Sequence, residues 1–283
     1  MIYFLTVNYY STPLVEKLIA SILLNQEESY QVIIVNNSPD DDSIHRIKTD
    51  SILILESGEN LGFGKACNLG LNWIYSQNPQ ALIWLINPDA YLLENSLSRA
   101  SLFFENHPEV SILGTTVYEP TGKVWFGGGE FIPENGTIIA QDFLSVELES
   151  KPYIKTNWVT GCSFIINLKK FTSCPLFDED YFLYYEDFDF CRRYAQEGHI
   201  IGLTKQISAI HKPSSITGTI PDEKIKHSTY SYLLTLEKHT NKWVLLYRLS
   251  RIAASALISL PSHTKISINE LKGVLLYWRR FVL

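Results

Sequence analysis

The feature that most constrains this chain is an alternation, over its first 110 residues, of short apolar β-branched runs with stretches of helical periodicity. Residues 2–7, 31–35, 51–55 and 81–86 read as strands, and residues 13–24, 66–75 and 97–106 as helices. In the first helix Leu14, Val15, Leu18, Ile19 and Ile22 fall on one face. Strands that are apolar throughout, with no polar alternation, need cover on both faces, and a helix between successive strands supplies it. The expected fold class is α/β: a mostly parallel central sheet flanked by helices.

Beyond His107-Pro108 the pattern changes. Residues 110–118 and 158–166 read as strands, Gly127-Gly128-Gly129 and Asn135-Gly136 mark a hairpin-rich stretch, and 186–197 reads as a helix. The apolar start, residues 1–7, lacks a positive n-region and a cleavage site, so it is read as a buried strand and not as a secretion signal. Cys67, Cys162, Cys174 and Cys191 have no paired spacing and read as reduced thiols of a cytosolic protein. On that view Asn135-Gly136-Thr137 is a turn, not a glycan acceptor.

The formal charge of −6 argues against a nucleic-acid partner, which would demand a basic footprint. The charge is also unevenly spread. Residues 242–283 hold seven basic side chains and one acid, so this tail carries +6 and the body −12. We divide the chain there, with 1–241 as the main body (1–110 and 111–241 as its halves) and 242–283 as a basic amphipathic helical tail. Two arginines, Arg248 and Arg251, interrupt the apolar run 243–260, and the run 271–283 is too short to span a bilayer. On a helix Arg248, Arg251, Ser255 and Ser259 share a stripe, which suits a helix lying on an anionic membrane surface. Docking on the body and a homodimer contact are the alternatives.

Five segments carry residues suited to chemistry. Val7-Asn8-Tyr9 and Val35-Asn36-Asn37-Ser38 end the first two strands, where open α/β sheets bind ligands, and amides there can meet a base edge. Asn60-Leu61-Gly62, leading to Asn68 and Gly70, fits neither a P-loop nor a dinucleotide fingerprint, yet its glycines let backbone approach a ligand. Asn87-Pro88-Asp89 throws a carboxylate out at the end of a buried strand, where a divalent ion bridging to a diphosphate would partner it. Residues 177–193 interleave six acids with seven aromatics, a composition suited to a sugar cleft with a carboxylate base near Glu186 and Asp187. His211, within the run 207–215, could complete a metal site. Each segment also has a plain structural reading: loop-favouring amides, a glycine turn, a helix cap, acids at a helix N-terminus, a packed histidine.

In this order along the chain, the segments resemble the family 2 glycosyltransferases, in particular a rhamnosyltransferase-like branch, over roughly residues 2–240. Trp158-Val159-Thr160-Gly161 and Phe182-Leu183-Tyr184-Tyr185-Glu186-Asp187 add to the likeness. The resemblance implies a GT-A fold and an inverting sugar transfer from a nucleoside-diphosphate donor, dTDP-rhamnose or a UDP-sugar. The acceptor would be a hydroxyl of a glycan or lipid-linked saccharide, in bacterial surface polysaccharide synthesis. It assigns Asn8, Tyr9, Asn36, Asn37, Asn60, Gly62, Asn68 and Asn87 to the nucleotide, Asp89 and His211 to Mg²⁺ or Mn²⁺, and Asp187, beside Glu186, to the base. Asn36 and Asn87 stand where relatives often carry acids, which leaves a degenerate sugar-nucleotide-binding module as the alternative. The expected location is cytoplasmic, peripheral on the inner face of the plasma membrane. A sugar nucleotidyltransferase would need a basic, Gly-rich first loop, which residues 6–13 lack.

Overall fold

The computed structural model describes residues 1–25, 29–140, 151–212 and 221–281. Strands β1 (Ile2–Asn8), β2 (Tyr30–Asn36), β3 (Ile52–Glu56) and β4 (Leu82–Ile86) lie in the order β4-β1-β2-β3, all parallel. Helices α1 (Thr12–Leu23), α2 (Phe63–Gln77) and α3 (Ser96–Asn106) follow the expected segments, α2 beginning three residues early. Gly70 brings α2 hard onto β1: a Cβ there would lie 2.2 Å from Leu5 Cδ1. Phe4, Leu5, Ile33, Ile34 and Trp84 are fully buried between the layers.

The later strands are β5 (Ala90–Leu92), β6 (Val110–Tyr118), β7 (Val124–Phe126), β8 (Gly129–Ile132), β9 (Thr137–Ala140), β10 (Ile154–Lys155), β11 (Ser163–Asn167) and β12 (Ile200–His211). The sheet continues from β4 through β11, β6 and β12 to β10, with β5 paired to β12 and β7 to β6, while β8 and β9 form a separate two-stranded sheet. Strand β11 runs antiparallel to β4 and β6, whereas β12 pairs parallel with β6. Among the described residues, six of the eight strands along the path β10-β12-β6-β11-β4-β1-β2-β3 therefore point one way. The C-terminal ends of β1, β2, β4 and β12 meet along one edge, with the start of β11.

Strand β11 is shorter than the expected 158–166. Asp187 Oδ2 accepts from Gly161 N–H at 2.7 Å, and Thr160 Oγ1 accepts from Cys162 N–H, so the backbone turns out of the ladder before Ser163. Asn135-Gly136 forms the β8–β9 turn as expected, with Gly136 at φ +70°.

Helix α4 (Glu186–Gln196) precedes β12, and α5 (Pro221–His239), α6 (Lys242–Ser259) and α7 (Thr264–Arg279) close the chain. Helix α7 starts seven residues before the expected 271, because Ser267 and Asn269 face inward and hide the apolar stripe; Asn269 donates to Asp222 Oδ1 at 2.9 Å. The expected last residues, 282–283, and 213–215 of the His211 run lie outside the described residues. Tyr181, Tyr230, Leu233, Leu234 and Tyr277 form a second core, joined by Leu245, Leu249 and Ile252 of α6 and Val274 and Leu276 of α7. The tail helices thus pack against α5. Two of the tail's cations are spent there: Arg248 donates to Asn135 O and Thr137 Oγ1, and Arg280 pairs with Glu237 and Asp180. On the exposed side of α6, Trp243, Leu246, Tyr247, Leu257 and Ile258 stand out, up to 80% exposed at Ile258, together with Lys242, Arg251 and Ser255.

Candidate functional site

A cavity of about 500 Å³ opens where the strand ends converge. Its wall includes Tyr9 after β1, Asn37 after β2, and Asn60 and Gly62 before α2. Asn87 and Asp89 after β4, His211 at the end of β12, and Glu186 and Asp187 at the start of α4 complete the set that the structure brings together.

Asn8, Asn36 and Asn68 are buried and do not line the cavity. Asn8 donates to Asn36 Oδ1 at 3.1 Å and accepts from Ser11 N–H and Oγ. Asn36 in turn donates to Asp41 O and Glu56 Oε2, which ties the loops after β1, β2 and β3 together. Asn68 clamps Phe177 through both its backbone N–H and its C=O. Asn37 reaches the cavity wall while donating to Asn60 Oδ1 and Gly62 O. Gly62 sits at φ +78°, and a Cβ there would fall 2.2 Å from Phe182 O, which accepts from Phe63 N–H. Only glycine fits that approach, which seats α2 against the 177–185 segment.

Asp89 and His211 face each other with side chains 6% exposed, Oδ1 and Nε2 being 3.2 Å apart. Their geometry misses a hydrogen bond: among the described residues Asp89 Oδ1 and His211 Nδ1 have no partner. A buried carboxylate oxygen without a donor needs compensation. A carboxylate and an imidazole fit a divalent ion that takes its other ligands from phosphate and water. Among the described residues no cluster of three or more His, Cys, Asp or Glu side chains could hold a metal unaided. Trp125 on β7 packs edge-on against His211, ring centroids 4.4 Å apart, and also lines the cavity.

Glu186 and Asp187 line the same cavity. Tyr184 and Tyr185 precede them with φ of 69° and 65°, a costly left-handed pair for non-glycine residues. Asp187 Oδ2 accepts from Gly161 N–H at 2.7 Å and Oδ1 from Phe188 N–H at 2.8 Å. Burial raises the Asp187 pKa, and these two amides oppose the rise. Glu186 is pushed further, to about 8, by burial and then by the Asp187 charge, and its Oε2 has no hydrogen-bond partner among the described residues. Burial thus disfavours negative charge on both groups, and at Glu186 the Asp187 charge adds to that effect. Of the two neighbouring arginines, Arg193 pairs with Asp189 and Arg192 lies over the Phe131 ring.

Sequence reasoning missed Trp125 as a wall residue, although an aromatic side chain alternating between Val124 and Phe126 ahead of three glycines is a detectable signal. It also gave no role to Gly161, whose N–H holds Asp187.

The sequence model of glycosyl transferase family 2 matches residues 4–172. The chain belongs to this family. It is 25% identical over 262 residues to the N-acetylglucosaminyl-diphospho-decaprenol L-rhamnosyltransferase of Mycobacterium tuberculosis, covering 84% of each protein. In three dimensions it is similar to a mannosyltransferase from Pyrobaculum calidifontis in complex with GDP-Man and Mn²⁺. That match has a TM-score of 0.55 at 13% identity and covers 98% of this chain and 86% of the other. It also matches GalNAc-T7 with UDP, GalNAc and Mn²⁺, with a TM-score of 0.57 at 11% identity, over 82% of this chain and half of that one. The fold is GT-A, and this family 2 member is a glycosyltransferase. Its role is glycosyl transfer.

Proposed function

We propose that the protein moves a sugar, with inversion, from a nucleoside-diphosphate donor to a hydroxyl of a lipid-linked saccharide, with Asp187 as the base. The observation that carries this reading is that Asp187 lines the same cavity as Asp89 and His211. A single displacement needs a base on one side of the anomeric carbon and charge stabilisation on the other. Asp89 and His211 would hold a divalent ion, which supplies charge neutralisation at the departing diphosphate. Tyr9, Asn37 and Asn60 flank the nucleoside end. Asp187, held by Gly161 N–H, takes the proton of the attacking hydroxyl, and its raised pKa makes it a stronger base than an exposed aspartate. Burial disfavours a second negative charge beside it, at Glu186.

The mycobacterial relative's name supports a nucleotide-activated rhamnose as donor and a diphospholipid-linked N-acetylglucosamine as acceptor class. An acceptor of that kind sits at a membrane. No helix among the described residues is long and apolar enough to cross one, and the exposed apolar side chains of α6 suit a lipid surface instead. Lys242 and Arg251 on α6 and Lys265, Lys272 and Arg279 on α7 are the exposed cations beside them.

A thermal-shift and turnover screen of UDP-, dTDP- and GDP-sugars with Mg²⁺ or Mn²⁺ tests the donor site. Metal-dependent stabilisation by one nucleotide class, lost in Asp89→Ala, is expected. Equal metal-dependent binding by Asp89→Ala would remove Asp89 from the site.

A further inference from the structure

Helix α5 carries a buried polar stripe that the transfer reaction as described does not use. Ser231, Thr235 and His239 recur at intervals of four residues and so lie on one helical face. Ser231 and Thr235 are fully buried, and the His239 side chain is 2% exposed. A stripe of this kind inside a core is costly unless each member is partnered, and all three partners lie in one segment, residues 181–189. Ser231 Oγ donates to Leu183 O at 2.8 Å, and Thr235 Oγ1 and Tyr181 OH lie 3.1 Å apart. His239 Nε2 and Asp189 Oδ1 are 2.9 Å apart.

The last contact reaches α4 itself. Asp189 is fully buried, and its second oxygen accepts from Arg193 Nε at 2.7 Å, while Arg193 also donates to Leu176 O. Burial alone would raise the Asp189 pKa; His239 and Arg193 outweigh it and hold the group below the usual carboxylate range. Among the described residues the other ring nitrogen of His239 has no hydrogen-bond partner. The imidazole thus serves Asp189, two residues along the same helix from Asp187. It also stands edge-on to Phe188, ring centroids 5.7 Å apart. Helix α4 begins straight after the left-handed pair Tyr184–Tyr185, a costly entry that contacts further along the helix help to offset.

We propose that His239 is a positioning residue: through Asp189 it fixes α4, and thereby the carboxylate of Asp187, against the cavity. The inference rests on Asp187 as the base. It makes α5, and the α6–α7 pair packed on it, part of the transferring unit and not only an anchor.

The test compares full-length wild type with His239→Leu, which leaves Asp189 without its partner, and His239→Gln, whose amide can donate in its place. Turnover is read as nucleoside diphosphate released from dTDP-rhamnose or a UDP-sugar, together with UDP and dTDP affinity in Mn²⁺ and amide hydrogen exchange of residues 187–190. His239→Leu is expected to lower kcat 10- to 100-fold with nucleotide affinity within twofold, and to speed exchange at least tenfold. His239→Gln should recover most of both. Should His239→Leu fail to fold, His239→Phe, which fills the place of the ring but offers Asp189 no donor, carries the same expectation. Wild-type kcat and exchange in folded His239→Leu or His239→Phe overturn the proposal, as does a His239→Gln protein no better than His239→Leu. If Asp187→Asn turned over normally, the base assignment would fall instead; a dead Asp187→Asn beside a fully active His239→Leu would sink this inference alone.

Discussion

Replacing Glu186 with glutamine isolates the electrostatics of the carboxylate pair. The Glu186 carboxyl is buried next to Asp187, and its pKa rises from 4.5 to about 8, first through burial and then through the Asp187 charge. Between those two pH values the folded protein keeps a proton that the unfolded chain releases. Stability from that proton is complete below pH 4.5 and gone once the pH has passed about 8. Each pH unit in the window removes up to about 1.4 kcal/mol, so the ceiling is about 4–5 kcal/mol. The cavity beside the carboxyl admits water, which screens the pair, and a loss of about 2 kcal/mol is the working figure. Glu186→Gln has no proton to lose. Urea unfolding of both proteins at pH 5, 6, 7 and 8, without nucleotide, should show the variant gaining on wild type by about 2 kcal/mol from pH 5 to pH 8. Two curves that stay parallel within about 0.5 kcal/mol would show that Glu186 titrates as an ordinary carboxyl, and the reasoning about the pair would be refuted.

The tail gives two further expectations. Trp243→Ser with Leu257→Ser and Ile258→Ser should cut co-sedimentation with phosphatidylglycerol vesicles at least fivefold and leave the unfolding midpoint nearly unchanged; retained binding would discount the outward face of α6. Arg248→Ala should do the reverse, because its hydrogen bonds run to Asn135 and Thr137 of the β8–β9 hairpin: vesicle binding holds while stability falls by about 1–2 kcal/mol.

The contrast between Arg248 and Trp243 shows where sequence reading stops. Helical periodicity placed α6 correctly, but which stripe faces the body depends on its neighbour, α5. Inward on α5 the polar Ser231, Thr235 and His239 lie beside Tyr230, Leu233, Leu234 and Leu236, so polar positions interrupt the kind of apolar pattern that reveals α1. Strand β12 escaped for a different reason: its register slips between Thr204 and Ser208, which breaks the alternation along its length. The N-terminal half was legible because β1, β2 and β4 are buried on both faces and end in amides at one edge. For Asn8, Asn36 and Asn68, the same amide chemistry suits a ligand or a brace, and only the three-dimensional neighbours decide which groups each one meets. The cavity set from Tyr9 to His211 could be collected from motif order, whereas Trp125 joins it through the pairing of β7 with β6.

The most direct test of the central claim is transfer by Asp187→Asn compared with wild type, using the donor identified in the screen and measuring nucleotide affinity alongside. The account predicts turnover reduced at least a hundredfold with donor affinity within threefold, because the amide keeps the place of the carboxylate but cannot take the acceptor's proton. Turnover near the wild-type rate would contradict it.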